Sequence, residues 1–191
     1  MILPPIAASK GNLARRRLTV NQSVCACFGR DLNESVSEYG SAVHSAFEQV
    51  EWWGDTTLKS LKSSNRSESV IQCMNTCFSD PVIRELFTRT DKEIVLWREK
   101  SFSLVQDDKL INGVFDRVHL HKSESGSYEQ AIIIDFKTDR IHKDYTITQA
   151  VEKHRPQMLT YQSALCALTG IETSSIELHL IFTSIAARFV L

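Results

Sequence analysis

The segment Ile132-Ile133-Ile134-Asp135-Phe136-Lys137-Thr138 carries the sharpest chemical signal in the chain. Three isoleucines predict a buried strand, and its C-terminal end holds an acid and a base two residues apart. Strand side chains alternate, so Asp135 and Lys137 share one face while Phe136 packs on the other. Charges in that setting are costly unless paired or bound to a metal. Alone, the pair reads as a salt bridge at the end of a sheet. A second acid changes the reading. In Gly113-Val114-Phe115-Asp116, the aspartate falls on the strand face shared by Val114, Val118 and Leu120. Two carboxylates at the ends of paired strands, with a lysine beside them, make a hard-cation site suited to Mg²⁺. Like charges held so close repel, so positive charge must sit between them. Gly113 inside a strand predicts a bulge or the close approach of another backbone.

Other residues with chemical potential are more ordinary. Gln157 and Tyr161 stand at i and i+4, on one helix face, with Met158, Tyr161, Leu165 and Leu168 expected as the buried stripe. His44 lies at the edge of a helix's apolar face, where a histidine is usually structural. His119-x-His121 shares a strand face but lacks a cysteine or acid at zinc spacing. The five cysteines, Cys25, Cys27, Cys73, Cys77 and Cys166, are odd in number and read as reduced cytosolic thiols rather than a metal knuckle.

Positioning these side chains requires helices first and a sheet second. Val43, Ala46/Phe47 and Val50 recur at helical spacing within a helix expected over 36–53. A polar loop over 60–69 precedes a second helical region at 70–87, restarting at Asp80-Pro81, an N-cap followed by proline. Strands are expected at 94–105, 109–121 and 131–137, the first two joined as a hairpin through Gln106-Asp107-Asp108. A helix over 155–169 would take Pro156 in its first turn and stop at Gly170. Strands at 175–183 and 188–191 follow. Residues 1–22, with two prolines and Arg15-Arg16-Arg17, read as a lead-in. Residues 23–191 read as one domain, helical over about 36–90 and sheet-and-helix over about 93–191. The apolar C-terminal run suggests a piece of a longer chain.

Composition bounds the rest. At 191 residues, 42% hydrophobic and 24% charged, the chain can bury a core without staples and is neither disordered nor low-complexity. No apolar run is long enough to span a bilayer, so no membrane partner is expected. Lysine and arginine number 22 against 23 acids, and that balance gives no global sign of nucleic acid. No Gly-x-x-x-x-Gly-Lys-Ser/Thr loop is present, so this chain carries no ATP-driven motor of its own.

The ordered set Gly40-Ser41-Ala42-Val43-His44, Arg98-Glu99-Lys100-Ser101-Phe102, Gly113-x-x-Asp116, Asp135-Phe136-Lys137-Thr138 and Gln157-x-x-x-Tyr161 resembles the PD-(D/E)xK nucleases. It is most similar to the RecB/AddA-type nuclease domain at the C-terminus of UvrD-like helicases, from about Gly40 to Thr183. The resemblance implies an α/β, restriction-endonuclease-like core: a central mixed β-sheet flanked by helices, with an N-terminal helical segment. It implies Mg²⁺ or Mn²⁺ held by His44, Asp116, Asp135 and the carbonyl of Phe136. Lys137 would orient or deprotonate the attacking water, and Thr138, Gln157 and Tyr161 would position the DNA. It further implies exonuclease V-like cleavage of single-stranded or unwound DNA ends, with a helicase in the parent chain or in a partner subunit. A role in double-strand-break repair and a bacterial cytosolic or nucleoid location go with it. Asp116 follows Val-Phe rather than proline, as in that subgroup. Relatives with an iron–sulfur cluster have three cysteines after the Gln/Tyr motif; here only Cys166 follows it, so no cluster is expected.

Two other readings stay open: a catalytically silent DNA-end or subunit-binding module, and a small-molecule hydrolase using the same carboxylates. The near-neutral charge fits a nuclease whose acids are balanced by metal, with basic residues placed locally at Lys137, Arg140, Arg155 and the arginine run.

Overall fold

A computed structural model describes residues 17–19, 30–54, 60, 66–89, 93–106 and 109–191. The elements run in chain order as β1 (Arg17–Thr19), α1 (Arg30–Glu48), α2 (Glu68–Ser79), α3 (Pro81–Leu86), β2 (Ile94–Gln106), β3 (Lys109–Lys122), β4 (Tyr128–Lys137), α4 (Ile147–Thr169), β5 (Ile176–Phe182) and β6 (Ala187–Val190). The strands form one mixed sheet in the order β1-β3-β4-β5-β6, with β2 on the other edge of β3. β1 and β3 are parallel, as are β4 and β5; the remaining pairs are antiparallel. Arg17–Thr19, inside the segment read as a lead-in, therefore adds a strand to the sheet. Three residues are too few to show a period in the sequence. Cys25, Cys27, Arg15 and Arg16 lie outside the described residues.

The sheet has a core on each face. Under α4 lie Phe115, Val118, Ile133, Met158, Tyr161, Leu165, Leu180 and Phe182. Against α1, α2 and α3 lie Val43, Phe47, Met74, Phe78, Phe87, Ile134, Phe136 and Ile181. β4 serves both: alternation sends Ile133 to the first core and Ile134 with Phe136 to the second. Phe136 stacks on Phe47 with centroids 4.2 Å apart, fixing α1 over the end of β4. As expected, Asp80 caps α3 by accepting from the Val82 and Ile83 amides, with Pro81 in the first turn.

Three expectations are corrected. α4 begins at Ile147, not Arg155, because Thr146 and Gln149 form a capping box and Ala150 and Val151 extend the apolar face. Pro156 therefore sits in the helix interior. Leu168 is half-exposed, and Ala164 takes its place in the buried stripe. Gly113 is paired in register with Phe102, without a bulge. What approaches it are side chains: an added Cβ would lie 2.5 Å from the Phe102 ring and 3.1 Å from Tyr161. The helix ends as expected at Gly170, in the left-handed conformation at φ 78°.

Candidate active site

A cleft of about 420 Å³ opens where α1 crosses the middle of β2 and β3 and the C-terminal end of β4. Asp135 therefore lies at a strand end as expected, while Asp116 lies mid-strand. Along α1, Gly40, His44 and Glu48 follow one another at i+4 and form its cleft-facing stripe, while Val43, Ala46 and Phe47 are buried. Gly40 is small for a reason: a Cβ there would come within 3.3 Å of Thr138 Oγ1. The C-terminal end of α1 has no basic residue in its own last turn. Arginines from the sheet supply donors instead. Arg98 donates to the Glu48 carbonyl at 2.7 Å, and the buried Arg117 donates to those of Val50 and Glu51 at 2.8 and 2.6 Å. The Glu48 carbonyl is one that the helix end leaves open, and Arg117 holds the two carbonyls just beyond it, tying the chain after α1 to the sheet.

His44 Nδ1 lies 3.3 Å from Asp116 Oδ2. The same carboxylate oxygen accepts the Phe136 amide at 2.8 Å, tying β3 to β4. Asp116 and Val114 face the cleft, whereas Val118 and Leu120 belong to the core under α4. The face shared by all four was a sequence expectation, and it fails because the strand turns over between Phe115 and Val118, both of which reach that core. β2 turns over with it. The ladder pairs Arg98 with Arg117 and Lys100 with Phe115, and the residue between, Glu99, adopts φ 45°. A non-glycine residue in that region is strained, a feature that gathers at functional sites.

Glu99 is the site residue that sequence reasoning missed. It lines the cleft, and one ligand atom each from His44, Glu99 and Asp116 lie within 4.8 Å of one another. Its motif was visible in the sequence; its role depends on the cross-strand register that sets it opposite Asp116.

Asp135 is fully buried, and Lys137 Nζ lies 2.6 Å from its Oδ2. The contact is a close, charge-assisted ion pair. Lys137 Nζ donates to Gln157 Oε1 at 2.8 Å, and Gln157 Nε2 donates to the Tyr161 hydroxyl at 2.9 Å. Tyr161 is buried against Phe102 and Phe115 and reaches the cleft through Gln157. Beneath Lys137, its carbonyl accepts from the Thr183 amide and hydroxyl, and the Thr183 carbonyl in turn accepts from the Cys73 and Cys77 thiols.

The titration behaviour follows from this crowding. Burial opposes the charged His44 imidazole, but its hydrogen bond to Asp116 and the charges of Asp116 and Asp135 outweigh that and carry it up to about 9. Burial, then Asp116, pushes Glu99 up to about 7. Burial raises Asp135 despite Lys137. Lys137 is raised too, since Asp135 and Asp116 overcome its burial and keep it a cation. The cleft thus holds protons among its carboxylates that a divalent cation would displace. Oxygen donors with one imidazole suit Mg²⁺ or Mn²⁺, and the carboxylates gathered here with His44 are such a set.

Other sequence candidates lie elsewhere. His119 is buried and accepts from Arg117 Nε at 2.8 Å, so it serves the arginine that holds the chain just after α1. Arg155 pairs with Glu152 on the exposed side of α4. Arg140 is exposed, and Thr138 abuts Gly40.

Comparison with known proteins agrees with this geometry. Residues 15–187 match the PD-(D/E)XK nuclease superfamily. The chain belongs to that superfamily. Its mixed, helix-flanked sheet is the restriction-endonuclease-like α/β fold. A curated relative, an ATP-dependent helicase/nuclease subunit of Limosilactobacillus fermentum (strain NBRC 3956 / LMG 18251), is 32% identical over 77 residues, covering 39% of this chain. The chain spans about 5% of that relative's length. No helix among the described residues is long and apolar enough to cross a membrane.

Proposed function

We propose that this chain is a Mg²⁺- or Mn²⁺-dependent deoxyribonuclease that hydrolyses phosphodiester bonds in single-stranded or unwound DNA. The observation that carries the reading is the convergence of His44, Glu99 and Asp116 with the Asp135–Lys137 pair on one cleft of a superfamily nuclease. His44, Asp116, Asp135 and the Phe136 carbonyl would hold the cation, with Glu99 beside them. A bound divalent ion polarises the phosphoryl oxygen and makes its water more acidic. Lys137, held as a cation by two carboxylates and fixed by Gln157, is placed to balance charge on the phosphate. Tyr161 sets the Gln157 amide, and Thr138, at the end of the same strand, stands ready for the DNA backbone.

The relative's printed name joins helicase and nuclease, which supports action on strands that a helicase delivers. The proposal extends to exonuclease action in break repair and recombination, in the bacterial cytosol. The test is cleavage of linear and circular single-stranded DNA across a Mg²⁺ and a Mn²⁺ titration, alone and with the cognate helicase. Cleavage of linear substrate only, rising with metal and lost in Asp135→Ala, supports the reading. Metal-independent cleavage overturns the metal assignment, and no cleavage under any of these conditions returns the chain to the silent DNA-end or subunit-binding reading.

A further inference from the structure

A second concavity, of about 470 Å³, adjoins the cleft through Glu48, which lines both. Its other walls are Gln49, Leu96, Trp97, Arg98 and Lys100. The strained Glu99 separates the two. Before it, Val95 and Trp97 pack toward the core under α4; after it, Phe102 and Leu104 do. The packing face thus passes from odd to even positions at the residue with φ 45°. Strict alternation would place Trp97 and Lys100 on opposite faces. The turn-over brings them together, with Lys100 Nζ 5.9 Å from the indole centroid. The acidic Glu99 consequently faces the metal-binding cleft while its two cationic neighbours line the adjoining one.

Trp97 is half-buried, its indole backed by Phe115 at 6.3 Å, and Arg98 and Lys100 are exposed. An aromatic ring supported from behind and flanked by two cations matches what single-stranded nucleic acid needs: a stacking platform for a base and positive charge for the phosphates. A paired base inside a duplex has both faces covered by its neighbours, so an unpaired one is required. Glu48 is the acid on this rim, and Arg98 and Lys100 outnumber it. In a chain of net charge −1 this pairing of cations with an aromatic is a local arrangement.

We propose that the second concavity is a single-strand track leading to the cleft, in which an unpaired base stacks on Trp97 and Arg98 and Lys100 hold the adjoining phosphates. The track rests on the nuclease reading and says where its substrate lies. The test is fluorescence anisotropy of labelled oligothymidylate with the full chain in EDTA, where hydrolysis plays no part. Trp97→Leu is expected to weaken binding roughly 5- to 100-fold, and Trp97→Phe to retain most of it. Arg98→Gln with Lys100→Gln is expected to lower the slope of log affinity against log salt by about 1.4. Trp97 also contacts the core and Arg98 holds the Glu48 carbonyl, so circular dichroism checks the fold of every variant. Lys100→Gln alone, expected to lower the slope by about 0.7, gives an arm free of both contacts. An unchanged salt slope in that variant overturns the track, as does blunt duplex binding with equal strength and equal dependence on Trp97. Trp97-dependent binding by a wild type that cuts nothing with metal keeps the track and removes the nuclease reading. Metal-dependent cutting with binding indifferent to all three residues does the reverse.

Discussion

Asp139 and the cleft's acidic cluster lie a few residues apart in this chain, and they are built to opposite ends. Asp139 is saturated: Lys153 Nζ and the Tyr145 hydroxyl donate to its Oδ1 at 2.7 and 3.1 Å, and His154 Nε2 lies 2.8 Å from its Oδ2. Burial works against its charge, but hydrogen bonds from His154 and Lys153 hold the carboxyl far below the usual carboxylate range. The cleft is starved by comparison. Glu99, Asp116 and Asp135 crowd together with Lys137 and His44 to balance them, and Glu99 and Asp135 are driven upward. A satisfied cluster stabilises a fold. A cluster short of positive charge costs stability, in keeping with the cation proposed for this cleft. The first supports the second: Asp139 ties the chain after β4 to α4, the helix that carries Gln157 to Lys137.

The largest expected difference is in activity. Asp135→Ala should lower DNA cleavage at least roughly 10²- to 10³-fold, measured as initial rate on linear single strands, with the fold checked by circular dichroism. Retained cleavage would detach the starved cluster from catalysis. Next comes the saturated cluster. Asp139→Ala should cost about 2 kcal/mol in urea unfolding, allowing for the solvent that reaches Lys153. A loss near zero would remove its structural role.

Acid should weaken the fold in two windows. His119, lowered to about 3 first by burial and then by Arg117, stays neutral in the fold while the unfolded chain binds a proton below ~6.5. Its contribution is present above that pH and drains by up to ~1.4 kcal/mol per pH unit as pH falls toward 3. The contribution of Asp139, depressed in the fold, is lost below ~3.9, where the unfolded carboxyl takes up its proton. Urea midpoints across this range should fall accordingly, and His119→Gln should flatten the upper window. The smallest effect has the opposite sign. Glu99 is raised in the fold, so its charge destabilises above ~4.3, where the unfolded residue ionises. Glu99→Gln should therefore gain about 1 kcal/mol near neutral pH without divalent metal, after discounting for screening of this partly exposed group. The same variant should show a smaller rise in Tm on adding Mg²⁺. A stability loss instead would place Glu99 among the saturated groups.

Much of the site was legible in the chain. Ile132 to Lys137 announced a buried strand with charges at its end, and β4 carries Asp135 and Lys137 on one face with Phe136 on the other. The pairing of Gln157 and Tyr161 followed from helical spacing. Glu99 stayed hidden, since a glutamate in a strand is ordinary until the register sets it opposite Asp116. Arg98 and Arg117 were equally silent, because the carbonyls they satisfy lie at and just beyond the end of α1, far off in sequence. Trp97 and Lys100 meet only because β2 turns over between them.

Sequence by itself determined the elements, the two faces of β4 and the residue types able to hold a hard cation. Those features rest on local periodicity and on the cost of burying charge, both of which act along a short stretch of chain. Tertiary structure decided which acids converge, which are satisfied and where the cations fall relative to them. Electrostatic balance is a sum over spatial neighbours, and it was fixed by the register of β2 on β3, by the seating of α1 on Phe136 and by the hold of Asp139 on α4.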